Sequence, residues 1–583
     1  MPHPHATPAP SDHDGASPTA SAAVSSGAAV AARSATLVAL AGEPFDMLII
    51  GGGITGAGVA REAALAGFRT ALLERDDFAS GTSSRSSRLV HGGVRYLEHG
   101  HLGLVFESSR ERRLLLGLAP HLVRPLAFTW PVYRGARVPR WKVRAGLALY
   151  DALSLFRNQR HQSLDRDGVL GSEPALAPDG LVGGARYWDA ATDDTRLTLA
   201  SALAAREAGA AVANHVSVVS GVHADGPQRR LTGVVAEDRR TGNTFAVRAR
   251  VIINATGPWS DATAALTGAS QGTQLFGSAG SHIAVPRARV GNHEAVTIVS
   301  PLDGRVMFVL PSGSHTIIGT TERPARGGPD DIRATRAEVT YLLQSVNRCF
   351  PFAQLTMDDV ISAWCGIRPL AAVRAGEHSA NAASREHAIT HRSDGLVSIT
   401  GGKLTTYRAM AADVLAHARG ESMKAPRTGA ATSPPRRDAW PSESTPLPGG
   451  DITTREATVQ EARATTHDAA VGERLALAYG SRWRNVWSYV QRDAALGRRL
   501  SDDLPYLLAE VPHAVEREMA LTLSDVLIRR THVAFETRDH GRAAARRIAP
   551  MIAALLQWSA SETARQLDDY DADAARLFTI DDH

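Results

Sequence analysis

Cysteine is nearly missing from this chain. Only Cys349 and Cys365 occur, which excludes a disulfide framework and a cysteine-ligated iron–sulfur cluster and makes a reducing compartment the simple reading. Long apolar runs are missing too. No stretch approaches the roughly 20 residues that cross a bilayer, so any membrane attachment is expected to be peripheral. Neither sign of charge dominates: 64 Lys and Arg stand against 60 Asp and Glu, a net +4 over 583 residues. That surplus does not point to a nucleic-acid partner, and no zinc-finger or RNA-binding motif accompanies it. What the chain does have is core material. Its residues are 44% hydrophobic, and its length suits about three or four domains.

Residues 1–43 are rich in Ala, Ser, Pro, His and Gly, lack a core-forming pattern, and read as a disordered extension rather than an export signal. Order begins with FDMLIIGGGITGAG, Phe45 to Gly58. Met47 to Ile50 has the apolar run of a buried parallel strand, and Gly51, Gly53 and Gly56 follow at G-x-G-x-x-G spacing. Such a turn presents backbone N–H groups and a helix start to a pyrophosphate. A second strand, Thr70 to Leu73, ends in Glu74, where a carboxylate can bind an adenosine ribose. An acid there suits an unphosphorylated ribose, hence FAD or NAD rather than NADP.

Downstream, Phe78 to Glu98 is polar, small and punctuated by glycine. Thr82, Ser83, Ser84, Ser86 and Ser87 offer donors to phosphates or a flavin edge, and Gly92 and Gly93 let backbone lie against a ring. Asp189, Asp193, Asp194 and Arg196 precede a helix and lack a third ligand at metal spacing, so capping and ion pairing are expected of them. Arg368 sits between Ile367 and Pro369; a cation in so apolar a setting needs an anion, either a ligand phosphate or one of the protein's own carboxylates. Leu396 to Thr400 is a strand running into GGKLTTYR, whose helix start, with Lys403, can stabilise negative charge. Arg134 to Tyr150 mixes basic residues with Trp141 and an apolar continuation, which fits a membrane-surface helix or a solvated basic face.

TSSRSSRLVHGGVRYLE, ERRLLLGLAPHLVRPL, YWDAATDDTRL, NATGPW, GSHI, GIRPL and GGKLTTYR occur in this order between Asp46 and Arg408, and EMALTLSDVLIRRT follows at Glu518 to Thr531. In these motifs the chain resembles the FAD-dependent glycerol-3-phosphate dehydrogenases. The resemblance implies an FAD-binding, Rossmann-like doubly wound α/β domain interleaved with an antiparallel substrate domain over 44–423. A linker over 424–448 and a helical C-terminal domain over 449–583 would complete the chain. It implies FAD contacts at Gly51, Gly53, Gly56, Glu74, Thr82, Ser83, Ser84, Ser87, His91, Gly92 and Gly93. Further contacts would come from Ala255, Gly257, Gly402, Lys403, Leu404 and Thr405.

Glycerol 3-phosphate would be held by Arg95, Tyr96, Arg368 and Lys403. His282 would take the hydroxyl proton, because imidazole titrates near the working pH; the other reading of His282 is a structural histidine. No metal is implied. Electrons would pass to a membrane quinone from a cytoplasmic protein resting on the inner face of the membrane, and a homodimer is compatible with the pattern. Two positions depart from the family, which usually has lysine at Ala279 and at Arg88. A cation missing at Ala279 is expected to weaken phosphate recognition or change the substrate. An oxygen-using glycerol-3-phosphate oxidase, an amino-acid oxidase of the same fold and a catalytically idle flavoprotein scaffold remain as alternatives.

Overall fold

A computed structural model describes residues 27–156, 159–226, 229–268, 276–325, 328–370, 387–422 and 440–582. Among them, eight strands form a sheet with Phe45–Ile50 near its centre. That strand is buried at every position, as its unbroken apolar run requires. It pairs in parallel with Thr70–Leu73 on one side and Thr244–Asn254 on the other, so Ile49 faces both Leu72 and Ile253. Leu396–Gly401 continues the sheet in parallel beyond Thr244–Asn254. Helices Ile54–Leu65, Asp194–Glu207 and Tyr407–Ser422 pack on this sheet and carry its apolar face inward.

A second sheet of ten strands is mostly antiparallel. Phe276–Pro286 pairs with Ser362–Leu370 and with His315–Gly319, and this three-strand unit supplies the wall that faces the first sheet. Helices from Arg455 to Phe578 form the C-terminal part. Their core is continuous with the second sheet, since Trp364 and Phe128 join one apolar cluster with Trp483, Phe535 and Ile548. Buried ions also tie the parts together. Asp77, four residues past the second strand, accepts from Arg529 Nε at 2.7 Å and Arg530 Nη2 at 3.0 Å. Asp77, His215 and Asp525 lie close enough to suggest a metal cluster, but Arg529, Arg530 and His215 already occupy the carboxylates.

Two expectations need correction. The extension is not disordered through residue 43: Ala28–Ala41 is a helix. It is anchored by buried Leu40, by Leu37, and by Arg33, which pairs with Asp238 at 2.6 Å. The linker also ends early. Trp440 and Leu447 are buried, Arg61 donates to the Thr445 carbonyl, and Pro441–Glu443 forms a helical turn, so the chain is folded in from residue 440. The remainder of both segments, 1–26 and 423–439, lies outside the described residues.

Candidate active site

The nucleotide end is built from backbone. Gly51 leaves the central strand with φ 107°, and a Cβ there would lie 2.8 Å from the Ala255 carbonyl oxygen. A Cβ on Gly56 would collide with the Gly51 carbonyl oxygen, which is why helix and strand can approach so closely. Gly53 caps the helix Ile54–Leu65, and the Ile54 N–H donates to Ser83 Oγ at 2.9 Å. Glu74 accepts from the Gly52 N–H at 2.6 Å and the Asp76 N–H at 2.8 Å. Burial first, and then Asp76, push its carboxyl up to about 7. A cleft opens over these groups. Gly51, Gly53 and Glu74 floor it, Thr82 and Ser83 flank it, and Ala255 and Gly257 close one side.

A second cleft of about 1040 Å³ shares Thr82, Ser83, Gly402, Lys403 and Leu404 with the first, so the two form one long trough. His282 stands in it, 3% exposed. Its Nε2 lies 2.9 Å from Ser87 Oγ, and its ring stacks on Trp364 at 5.6 Å and 11°. Nδ1 is buried with no hydrogen-bond partner among the described residues. Contrary to the expectation that it titrates near the working pH, burial, then Arg368, then Arg88 push the imidazole down to about 3, so it is neutral there.

Arg368 is half-buried, and its Nη2 donates to Thr320 Oγ1 at 3.2 Å. A Cβ at Gly280 would sit 2.7 Å from that hydroxyl and 2.8 Å from the guanidinium, so the missing side chain is what opens the cavity beside Arg368. Lys403 Nζ stands 3.8 Å above the ring of Tyr96 and 3.4 Å from Ser108 Oγ. His91 and Thr405 line the same cleft, joined by the His91 N–H donating to Thr405 Oγ1 at 3.1 Å.

Not every expected residue reaches the trough. Ser84 is buried and donates to the Gly81 carbonyl at 3.3 Å. The Gly92 N–H is taken by Tyr150 Oη at 2.9 Å and by Asp189, and Gly93 turns the chain under Tyr96. Gly56 acts one layer below, through Gly51. The side chain of Arg95 lies outside what the structure describes.

The acid group around Asp189 is structural. Asp193 caps its helix by accepting from the Arg196 N–H, Asp194 accepts from Ser86 Oγ at 2.6 Å, and Arg196 pairs with Glu518 at 2.7 Å. The concern over Ala279 also resolves. Strand side chains alternate, and while Gly280 and His282 face the cleft, Ala279 is fully buried on the opposite face with Ile332, Cys365 and Ile367. Alanine there removes no contact from the trough. Sequence reasoning missed Gly280, Gly366 and the stacking partner Trp364; a glycine two residues, or an aromatic four residues, from a candidate on one strand was the signal.

Comparison with known proteins gives the family. Residues 46–408 match the family described as FAD dependent oxidoreductase, and residues 441–563 match the C-terminal domain of alpha-glycerophosphate oxidase. A glycerol-3-phosphate dehydrogenase of Synechocystis is 35% identical, over 90% of this chain and 95% of the relative. The chain belongs to the FAD-dependent glycerol-3-phosphate dehydrogenase family. Glycerol-3-phosphate dehydrogenase 2 of Mycobacterium tuberculosis, another member, is 38% identical over 91% of this chain and 88% of its own length. The solved glycerol-3-phosphate dehydrogenase of Bacillus halodurans, complexed with FAD, superposes with a TM-score of 0.75 at 30% identity, covering 94% of this chain and 97% of that one.

The residues present fit the family's cofactor. The close-packed glycines at the start of a helix, the buried Glu74 and the long continuous trough make the cradle an extended dinucleotide requires. No helix among the described residues is long and apolar enough to cross a membrane.

Proposed function

We propose that this protein oxidises sn-glycerol 3-phosphate to dihydroxyacetone phosphate. The observation that carries the reading is His282, a buried neutral imidazole, sharing one cleft with Arg368 and Lys403. When bound, FAD supplies the two-electron acceptor for the hydride of the substrate's secondary carbon. The protein's own groups do the rest. Arg368 and Lys403 bind the phosphate dianion, with Tyr96 at the same end of the trough. His282 Nε2, now bonded to Ser87 Oγ, accepts the hydroxyl proton, and Ser87 and the Trp364 face fix the ring for that transfer. The start of the segment after Gly402 would offer its N–H groups to negative charge on the bound cofactor.

Electrons pass on to a quinone in this reading, and a surface supports membrane contact. The helix Arg140–Leu153 turns Trp141, 71% exposed, outward beside Lys142, Arg144 and Leu149. The neighbouring helix Leu102–Leu118 adds exposed Leu102 and Phe106, and Leu155 and Phe156 follow. Exposed aromatic and aliphatic groups ringed by cations are what an anionic lipid surface takes up.

Turnover with glycerol 3-phosphate and a quinone analogue should yield dihydroxyacetone phosphate without stoichiometric hydrogen peroxide. Peroxide formation at the full rate would make the protein an oxidase instead. Sedimentation with anionic vesicles, weakened by Trp141→Ser, tests the surface.

A further inference from the structure

A set of buried groups behind His282 has no part in the reaction as described. His532 belongs to the C-terminal part and is 7% exposed. Its Nε2 lies 2.9 Å from Asp193 Oδ2, and its Nδ1 lies 3.3 Å from Arg88 Nη2. Arginine can only donate. Nδ1 is therefore the lone-pair nitrogen, and Nε2 carries the proton given to Asp193. Arg88 is held over the rings of Phe535 at 5.2 Å and Trp364 at 5.8 Å, with its Nε 4.0 Å from Asp194 Oδ1. Phe535 meets Trp364 edge to face at 5.3 Å, and Trp364 stacks on His282. Arg88 also directly follows Ser87, the partner of His282 Nε2. The C-terminal part thus reaches His282 by two routes, one through the ring stack and one through the backbone of Arg88.

We infer that His532 is a positioning residue for the oxidation site: by accepting from Arg88 it fixes that guanidinium against Trp364 and Phe535. This holds the His282 ring in place and keeps a cation near it. The inference rests on His282 serving as the base of the proposed reaction. The charges around the pair are few. Asp193 faces His532, Asp194 faces Arg88, Arg368 approaches His282 from the cleft side, and His315 also feels Arg88. Freed from His532, the Arg88 side chain swings toward the two aspartates. His282 then loses one of the two cations that disfavour its protonation. Burial and Arg368 still keep the ring neutral between pH 5.5 and pH 8, so what changes is the position of the ring and not the fraction of neutral base.

The test uses two variants of the full-length, FAD-loaded protein. His532→Phe keeps the ring packed beside Phe535 but has no acceptor, and His532→Asn returns an acceptor near the Nδ1 position. The rate constant for anaerobic flavin reduction by glycerol 3-phosphate is measured from pH 8 to pH 5.5 and divided by that of the native protein, which cancels titration of the substrate phosphate. For His532→Phe we expect a ratio about tenfold below one at pH 8, the scale of one lost charge-assisted hydrogen bond. The ratio should stay near that value down to pH 5.5, because the ring remains neutral, and His532→Asn should recover most of the rate.

A rate for His532→Phe equal to that of the native protein overturns the inference. So does equal damage in both variants, or loss of FAD from His532→Phe, either of which makes His532 ordinary scaffold. Failure of the native protein to be reduced at all is a different result, and it overturns the proposed substrate instead.

Discussion

The two ends of the trough are made differently. At the nucleotide end the contacts are backbone, supplied by glycines within one strand, turn and helix, and a single acid 22 residues along hydrogen-bonds into the turn. At the substrate end they are side chains from segments far apart in sequence: Ser87 meets His282 across 195 residues. Backbone recognition is local and tolerates no added atoms. Side-chain recognition is assembled by the fold and can be trimmed one group at a time. The two ends should therefore fail in different ways.

The largest effect belongs to the glycines. Gly56→Val places atoms where the Gly51 carbonyl already is, so the helix must move off the strand. Overpacking of this kind costs about 1–3 kcal/mol, and the expected outcome is a protein purified without flavin; a fully yellow variant would break the comparison. His282→Gln comes next. Removal of a general base lowers the rate by about 10²–10⁴-fold, while the bound flavin per chain, read from the visible spectrum, stays at the native value. Arg368→Ala is milder and is expected mainly in KM, by about 10–100-fold for a lost charged hydrogen-bond pair of roughly 1.5–3 kcal/mol, again with FAD retained. Unchanged steady-state kinetics would remove Arg368 from the phosphate site.

A smaller, pH-dependent effect sharpens the contrast from the stability side. Burial holds His282 and His121 neutral, each pushed down to about 3 from an unfolded value near 6.5. Because the folded values lie below the unfolded one, this contribution is complete above about pH 6.5 and is lost as pH falls toward 3. At pH 5 the loss amounts to about 2 kcal/mol for each group. Urea midpoints at pH 8 and pH 5 should differ accordingly, and His282→Gln should remove about half of the difference. The smallest effect is expected at Ala279→Ser, which lies on the face of its strand away from the trough and should leave substrate KM unchanged; a raised KM would reinstate the position in substrate binding.

The same contrast explains what could be read from the sequence. The strand, the glycine turn and the acid were legible as local structure, because they follow one another and their geometry is set by spacing. At the substrate end the residue types were legible, His282, Arg368 and Lys403 among them, but not their partners, since a one-dimensional pattern carries no sign of Ser87 beneath His282 or Trp364 alongside it. Ala279 shows the same limit: its identity suggested a missing cation, and only strand alternation showed that it faces elsewhere.

The helix Ala28–Ala41 escaped notice because its stretch has almost no polar face, and its anchors are Leu37, Leu40 and one ion pair of Arg33. Trp440 to Leu447 was hidden by a composition of Pro, Ser and Thr that looks like linker until its two apolar residues are seen in the core.

The most direct measurement is anaerobic addition of glycerol 3-phosphate to the native, Arg368→Ala and Gly56→Val proteins while flavin absorbance is followed. Two independent ends of one trough predict rapid bleaching of the native protein, equally complete bleaching of Arg368→Ala only at much higher substrate concentration, and no flavin to bleach in Gly56→Val. A native protein that carries FAD and is not bleached would contradict the account.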